Sequence, residues 1–367
     1  MRQTGDALTL AFVSYDDYND MICSGDNDRF LISTDKVVSV MNAIPHLERK
    51  RTTMTKKERV LTTLRGETPD RPPVCFWQHF GPLEPAQTVA AHVKFFEESN
   101  EDILKMMCDE FFEYPLQGAK TPADFLALRP LGRDSYYVRG QIERATQINE
   151  ALKGEVFSLY NAFSPYASLK HAMGDAESMA LIREAPEAAQ HVMEVICEDT
   201  CCMIEGILKE SGTAGMMLPL QGADDAHFTA EEYAAIVAPT EKRVIECADA
   251  FSKTNLLHFC GWDNLPNHLE WWDKYPALMV NWDVDVEGFG LSEGKKRFPG
   301  RVLLAGYNNR LGTLLHTGGK LKIQSFVRNL VEATGKDGII IGADCSLPQG
   351  IDREHLRWVV EALNEMA

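Results

Sequence analysis

The sequence predicts an α/β fold, a (β/α)8 TIM barrel. Short runs rich in β-branched and aromatic residues alternate with longer amphipathic segments of helical period. Eight such runs occur, and eight strand–helix units make up a complete (β/α)8 barrel. A doubly wound parallel sheet is the alternative fold. The candidate strands are residues 72–78, 103–108, 155–162, 214–220, 255–260, 277–283, 301–308 and 338–344.

The helices are predicted from their caps and their period. The first runs from Lys56 to about Arg65, with Thr55 or Thr53 as N-cap, since a threonine oxygen accepts a hydrogen bond from the first helical turn. Later helices are expected in AEEYAAIVAPTEKRVIECADAF, after a capping threonine, and in KLKIQSFVRNLVEATG. The order of elements is hardest to read in residues 109–154.

The start of the chain differs from the rest. The stretch SYDDYNDMICSGDNDRF is polar and has no clear period, and LERKRTTMTKKERVLTTLRGE then turns basic. We therefore divide the chain into residues 1–53, an N-terminal extension of unknown role or an over-called start, and residues 54–367, a single catalytic domain. Met54 would be the first residue of that domain.

Composition and charge exclude several classes of protein. Hydrophobic residues make up 45% of the 367 residues and charged residues 25%, which is typical of a soluble globular chain. The net charge of −17 argues against a nucleic-acid partner, because phosphate binding needs clustered Lys and Arg. No apolar run approaches the ~20 residues that span a bilayer, and the N-terminus lacks a secretory signal. We expect a cytoplasmic protein without a membrane partner.

The nine cysteines are odd in number and irregular in spacing. In a cytosolic chain most cysteines are small buried side chains rather than disulfide partners. Cys197, Cys201 and Cys202 lie at helical spacing, which indicates packing.

Chemically unusual residues follow the predicted strands. Active sites of (β/α)8 barrels lie at the carboxyl ends of the strands, so these residues are the candidates for function. In chain order they are Gln78 and His79; Cys108, Asp109 and Glu110; Gln221, Asp224 and Asp225; His258 and Cys260; Asn281 and Asp283; Asn308 and Asn309; and Asp344 and Cys345.

Three of these candidates suggest a metal site. His258 and Cys260 would point to one face of the fifth strand, because alternate residues of a strand share a face. Cys345 follows the eighth strand. That strand is not adjacent to the fifth, but the carboxyl ends of both strands would lie at the same mouth of the barrel. One imidazole and two thiolates suit Zn²⁺ and leave a fourth position open, as in catalytic sites. From the residues alone, the alternative of three packed core or rim side chains stays open.

From Met54 to Ala367 the chain resembles the uroporphyrinogen decarboxylase superfamily. The opening MTKKERVLTTLRGETPDRPPV is similar to the first helix and strand of that superfamily, and VFSLYNAFSPYASLKHAMG to its third strand and following helix. RVLLAGYNNRLGTLL resembles the seventh-strand segment, and GIIIGADCSLPQGIDREHLRWVVEAL the end. The opening and closing motifs are fairly specific to the superfamily, and they imply the barrel fold.

The superfamily has two main chemistries, decarboxylation and methyl transfer, and each has its own sequence motif with which this chain can be compared. The decarboxylases hold the carboxylates of a tetrapyrrole with arginines in an Arg-Gln-Ala-Gly-Arg pattern after the first strand. This chain has CFWQHFGPLE there, with neither arginine. The corrinoid-dependent methyltransferases bind zinc with a His-x-Cys after the fifth strand and a Cys after the eighth. The resemblance therefore implies that His258, Cys260 and Cys345 bind Zn²⁺.

The implied reaction moves a methyl group between the cobalt of a corrinoid and a small-molecule donor or acceptor. The methyl group would pass to a zinc-bound thiol, or would come from a methoxy or similar donor. We expect the corrinoid (cobalamin) on a separate protein, because the chain has no Asp-x-His-x-x-Gly motif and no further domain is expected after residue 367. The resemblance also makes a homodimer plausible. A tetrapyrrole decarboxylase and a non-catalytic corrinoid- or tetrapyrrole-binding barrel remain the alternatives.

The other candidates receive supporting roles. Asp109 would align with the catalytic aspartate of the decarboxylases. Gln221 and Asp224 would orient the substrate or the zinc ligands, the alternative for each being a loop residue that caps the next helix. Residues expected to contact the substrate are Gln78, His79 and Asn308.

Overall fold

The computed structural model of the chain describes residues 53–261 and 264–367, and their core is one eight-stranded sheet. Every pairing in the sheet is parallel, in the order β1-β8-β7-β6-β5-β4-β3-β2. The predicted (β/α)8 barrel is confirmed. The predicted extension, apart from Thr53, lies outside the described residues. The strands are Val74–Cys75 (β1), Ile103–Met106 (β2), Phe157–Asn161 (β3), Gly215–Leu220 (β4), Leu256–Phe259 (β5), Met279–Trp282 (β6), Val302–Tyr307 (β7) and Ile339–Ala343 (β8).

Helices fill the connections between the strands. Several of them are interrupted or short, and no helix of the described part is long and apolar enough to cross a bilayer. The helices are Lys56–Leu64 (α1), Pro85–Ser99 (α2), Pro122–Ala127 (α3), Tyr136–Ala151 (α4), Pro165–Met173 (α5), Asp175–Glu184 (α6), Pro186–Glu210 (α7), Ala230–Ile236 (α8), Ala238–Phe251 (α9), Val284–Glu287 (α10), Leu291–Arg297 (α11), Leu314–Thr317 (α12), Lys320–Thr334 (α13) and Arg353–Glu365 (α14). Two 3₁₀ turns, Asp109–Phe111 and Leu269–Trp271, follow β2 and β5.

Side chains alternate between two cores along each strand. On β2, Ile103 joins an inner cluster enclosed by the strands, whereas Leu104 and Met106 join an outer cluster between strands and helices. The inner cluster also receives Val60 and Leu64 from α1. Residues near the strand ends on the inner face therefore point into the barrel, where a site can form.

The seam between β1 and β2 is closed by side chains rather than by a strand ladder. The backbone N–H of Asp102 donates to the carbonyl of Val74 over 2.9 Å. The Asp102 carboxylate accepts from Arg59 at 2.7 Å and from Arg71 at 2.6 Å, and all three side chains are buried. This ion cluster connects α1 to the start of both strands.

The predicted elements match the structure except at prolines. All eight runs contain a strand, but β1 is much shorter than the predicted 72–78: Pro72 and Pro73 have no N–H to donate, and after Cys75 only Gln78 pairs again, in an isolated bridge with Leu347. Thr55 caps α1 as predicted, accepting from the N–H of Glu58. The segment predicted as one helix after Thr229 divides into α8 and α9, and Pro239 lies in the first turn of the second.

Candidate metal centre

Three predicted ligands meet inside the mouth of the barrel. His258 belongs to β5, Cys260 follows that strand, and Cys345 follows β8. Their ligand atoms all lie within 4.8 Å of one another, and the Cys345 Sγ is 3.4 Å from the His258 Nε2. His258 and Cys260 are buried and Cys345 is partly buried. Within the described residues, this is the one such cluster of metal-binding side chains.

Asn281 fixes the orientation of the histidine. It lies on β6, directly opposite His258 in the register of the sheet. Its amide nitrogen donates to the carbonyls of Leu304 (2.8 Å) and Ala343 (3.1 Å), so its Oδ1 is the acceptor that faces His258 Nδ1 at 2.5 Å. The proton of the neutral imidazole is therefore on Nδ1, and the lone pair of Nε2 points to the thiols. Such an arrangement prepares a histidine to bind a metal.

The two thiols influence each other's ionisation. The hydrogen bond with Cys345, together with burial, raises the pKa of Cys260 well above that of a free thiol. The same hydrogen bond lowers the pKa of Cys345 well below the usual value despite burial, and the neighbouring His258 lowers it further. Cys345 is thus the more readily ionised thiol of the pair. Metal binding would favour the ionised form of both thiols, because the thiolate is the metal ligand.

The donor set fits zinc. One imidazole nitrogen and two thiolates are preferred zinc ligands, and three protein ligands leave one position for a substrate. Gln221, after β4, supports the set: its Nε2 lies 3.6 Å from the Cys260 Sγ and can donate to a thiolate. The Oε1 of Gln221 is buried and accepts no hydrogen bond from the described residues.

A small cavity adjoins the three ligands. It encloses about 380 Å³ of empty space, a volume that includes its open mouth. Lys105 is the charged residue among the lining residues that the sequence did not point to, since a lysine within a strand run is usually expected to be solvent-exposed. Besides the three ligands and Lys105, the lining is Trp77, His79, Met107, Phe112, Asn161, Phe163, His171, Pro219, Gln221 and Ser346.

His79 and Asp109 form a hydrogen-bonded pair at the edge of the cavity. The His79 Nδ1 is 2.6 Å from Asp109 Oδ1, and Asp109 Oδ2 accepts from the backbone N–H of Phe80 and Gly81. Burial raises the pKa of Asp109, but the interactions with His79 and the hydrogen bond from the backbone N–H of Phe80 together outweigh it, so the pKa lies below the usual value. His79 lines both the cavity and an outer groove that includes Asp109.

The remaining predicted residues do not line the cavity. Asp224 accepts from the ring of His227 at 2.7 Å and from two backbone N–H groups, as a loop-capping residue does. Asn308 donates to Asp285 and accepts from the N–H of Arg310. Gln78 is buried, and its backbone bridges to Leu347. The catalytic role of Asp224 and the substrate contacts of Gln78 and Asn308 stay predictions.

Comparisons with known proteins agree with this architecture. Residues 114–366 match the family described as Uroporphyrinogen decarboxylase (URO-D). Among solved structures, a methyltransferase from Methanosarcina mazei is similar, with a TM-score of 0.66 and 16% identity over 85% of this chain and 99% of that one. A B12-independent methionine synthase from Shewanella sp. W3-18-1 is similar with a TM-score of 0.53 and 9% identity over 80% and 95% of the two chains. At these identities the two structures show a shared fold. No curated protein matches the sequence.

Proposed function

The chain belongs to the uroporphyrinogen decarboxylase (URO-D) family, and we propose that it is a zinc-dependent methyltransferase. It would move a methyl group between the cobalt of a corrinoid on a separate protein and a small substrate. The observation that carries this proposal is the convergence of His258, Cys260 and Cys345 in the barrel mouth. The similar structures described as a methyltransferase and a methionine synthase support it further.

The roles of the chain's own residues follow from their contacts. His258, Cys260 and Cys345 would hold zinc, which when bound supplies a Lewis acid that lowers the pKa of a substrate thiol or polarises a methoxy oxygen. Asn281 keeps the His258 Nε2 directed at the site. Gln221 donates toward the Cys260 sulfur, and a hydrogen bond to a thiolate spreads its charge and fixes its position.

The cavity would position the substrate and keep water away. Its walls include Trp77, Phe112 and Phe163, which offer apolar surface to the body of a small molecule. The cavity opens at the carboxyl ends of the strands, which is the side that a corrinoid on a partner would have to approach. Exclusion of water protects the strongly nucleophilic and reduced species that methyl transfer requires.

His79 would accept or donate the proton that the reaction transfers. Asp109 accepts from the Nδ1–H of His79, so Nε2 is the nitrogen that can take up or give a proton. The His79 side chain is 37% exposed, whereas that of Asp109 is 6% exposed. His79 can therefore exchange the proton with solvent while Asp109 holds the ring in place.

The cavity is poorly suited to a tetrapyrrole carrying many carboxylates. No arginine is among its described lining residues, and it has a single lysine. Carboxylates are bound most effectively by paired guanidinium groups, which the decarboxylase pattern supplies and this chain lacks after β1.

A methyl-transfer assay on matched variants tests the proposal. Free cob(I)alamin would replace the corrinoid protein, and its spectrum would report methylation by a panel of methoxyarenes and methyl thioethers. Cys345→Ala should lose bound zinc and at least about a hundredfold in rate, because the metal would lose a thiolate. Cys197→Ala, which removes a buried thiol on the outer helix α7, should keep both. A fully active Cys345→Ala enzyme contradicts the mechanism, and release of CO₂ from uroporphyrinogen without metal would favour the decarboxylase alternative.

A further inference from the structure

Lys105 is a buried cation in the wall of the proposed active site. It lies on β2 between Ile103 and Met107, both members of the inner cluster, so its side chain points into the barrel. It is only 4% exposed. It lines the same cavity as His258, Cys260 and Cys345.

The ammonium group forms no ion pair with a carboxylate in the described part of the chain, and the charge that acts on it most strongly there is that of Cys345, one of the proposed zinc ligands. Its Nζ lies 4.7 Å from the ring centroid of Trp77, a cation–π contact, and it makes neither an ion pair nor a hydrogen bond there. No carboxylate is among the described residues that line the cavity. The nearby Asp109 is already engaged by His79 and two backbone N–H groups. A buried charge without a partner is costly, so its retention calls for an explanation.

Bound zinc would leave the positive charge of the Lys105 ammonium group without a countercharge. The two thiolates of Cys260 and Cys345 would neutralise the two charges of Zn²⁺, so the occupied centre would offer no net negative charge to Lys105. Burial lowers the pKa of Lys105 to about 8, so most of the side chain still carries its proton at neutral pH. The missing countercharge must then come from a molecule that enters the cavity.

We propose that Lys105 binds an anionic group of the substrate, so that the substrate is a small organic carboxylate with an apolar body. This inference rests on the proposed function, because it names the class of molecule that the same cavity would receive. The ammonium would pair with the carboxylate, and the aromatic walls beside it, including Trp77 and Phe112, would contact the apolar body. Lys105 is thus a residue that sets specificity rather than one that binds the metal.

A pair of probes that differ only in charge tests this inference by calorimetry on the zinc-loaded protein. 4-Methoxybenzoate is an anion, and 4-methoxybenzamide is its neutral counterpart of nearly the same shape. The native protein should bind the benzoate at least about tenfold more tightly than the benzamide, since a buried charge pair is strongly favoured over a buried unpaired charge. Equal affinities, or no binding of the benzoate, would overturn the inference without any variant.

Two variants locate the effect on Lys105. Lys105→Met keeps the length of the side chain and removes its charge, so it should weaken benzoate binding by about tenfold or more and leave benzamide binding within about twofold. The control is Lys56→Met, because the Nζ of Lys56 also lies over an aromatic ring, that of Phe96 at 4.4 Å, but outside the cavity. The control should bind both probes like the native protein. Equal losses for both probes in Lys105→Met would indicate a packing role and contradict the inference.

The outcome separates this inference from the proposed function. Zinc content, measured on the same samples, should be unchanged in Lys105→Met because Lys105 is not a ligand. A protein that binds zinc and transfers methyl groups but shows no preference for the anion would overturn only the role of Lys105. A protein that prefers the anion through Lys105 but binds no zinc would overturn only the methyltransferase proposal.

Discussion

At the residue scale, the site depends on the hydrogen bond between Asn281 and His258. A neutral imidazole has one nitrogen that donates and one that accepts, and only the accepting nitrogen can bind a metal. The two backbone carbonyls that receive the Asn281 amide leave its oxygen facing Nδ1. Nε2 is then free for the metal, and the ring cannot easily rotate away.

The exchange Asn281→Ala should therefore weaken zinc binding without removing a ligand. Loss of such a supporting contact typically costs about 10- to 100-fold in metal affinity. The affinity would be measured by competition with a chromophoric chelator. Asn161→Ala is the matched control: Asn161 is equally buried and lines the same cavity, but its amide faces Cys108. Equal affinities of Asn281→Ala and the native protein would refute the role of Asn281.

The sequence predicted the three candidate ligands and, around them, Gln221 and His79, but not the contact of Asn281 with the histidine or the presence of Lys105. His258, Cys260 and Cys345 were predictable because barrel topology alone brings the ends of the strands to one mouth. Asn281 was one of several polar residues that end predicted strands, and Lys105 lies within a strand run, where a polar residue is ambiguous between solvent and barrel interior. Only the register of neighbouring strands, which a single sequence does not reveal, resolves that ambiguity.

At the element scale, the weakest joint of the barrel is the junction of β1 with β2. The short β1 pairs with β8 over two residues and forms no ladder with β2. Asp102 joins the two strands at this junction, because its carboxylate also accepts a hydrogen bond from the backbone N–H of Val74 at 2.9 Å. At this junction the buried ion cluster of Asp102 with Arg59 and Arg71 stands where a strand ladder is missing.

Asp102→Asn should strongly destabilise the fold. It leaves the buried guanidinium group of Arg71 without a countercharge and that of Arg59 with Asp70 alone, and breaking a buried pair in this way costs about 3–5 kcal/mol. The free energy of unfolding would be measured by urea denaturation. Glu293→Gln breaks an exposed pair with Lys296 and should cost less than about 1 kcal/mol. Similar costs for the two variants would show that the cluster does not close the barrel.

The elements themselves were largely predictable. Eight runs of β-forming residues appeared as eight strands, since each strand is buried on both faces and reads as an apolar run. The region 109–154 was ambiguous because it holds a 3₁₀ turn and two helices, α3 and α4, without a strand. Its prolines and glycines indicated turns, but the segment has no regular hydrophobic period from which the number and order of its helices and strands could be predicted.

At the scale of the whole molecule, the candidate metal site exists only in the closed barrel. Its ligands come from β5 and β8, between which β6 and β7 intervene. The side chain of Asn281 connects all four strands from inside, because it contacts His258, Leu304 and Ala343. Zinc that binds the folded state alone must therefore stabilise the barrel.

The most direct test is X-ray absorption spectroscopy of the zinc-loaded protein. We predict two sulfur neighbours at about 2.3 Å and a nitrogen at about 2.0–2.1 Å from zinc. In Cys345→Ala we predict one sulfur neighbour fewer, or no bound zinc. A zinc surrounded only by oxygen and nitrogen, or a spectrum unchanged in that variant, would contradict the assignment of His258, Cys260 and Cys345 as the metal site.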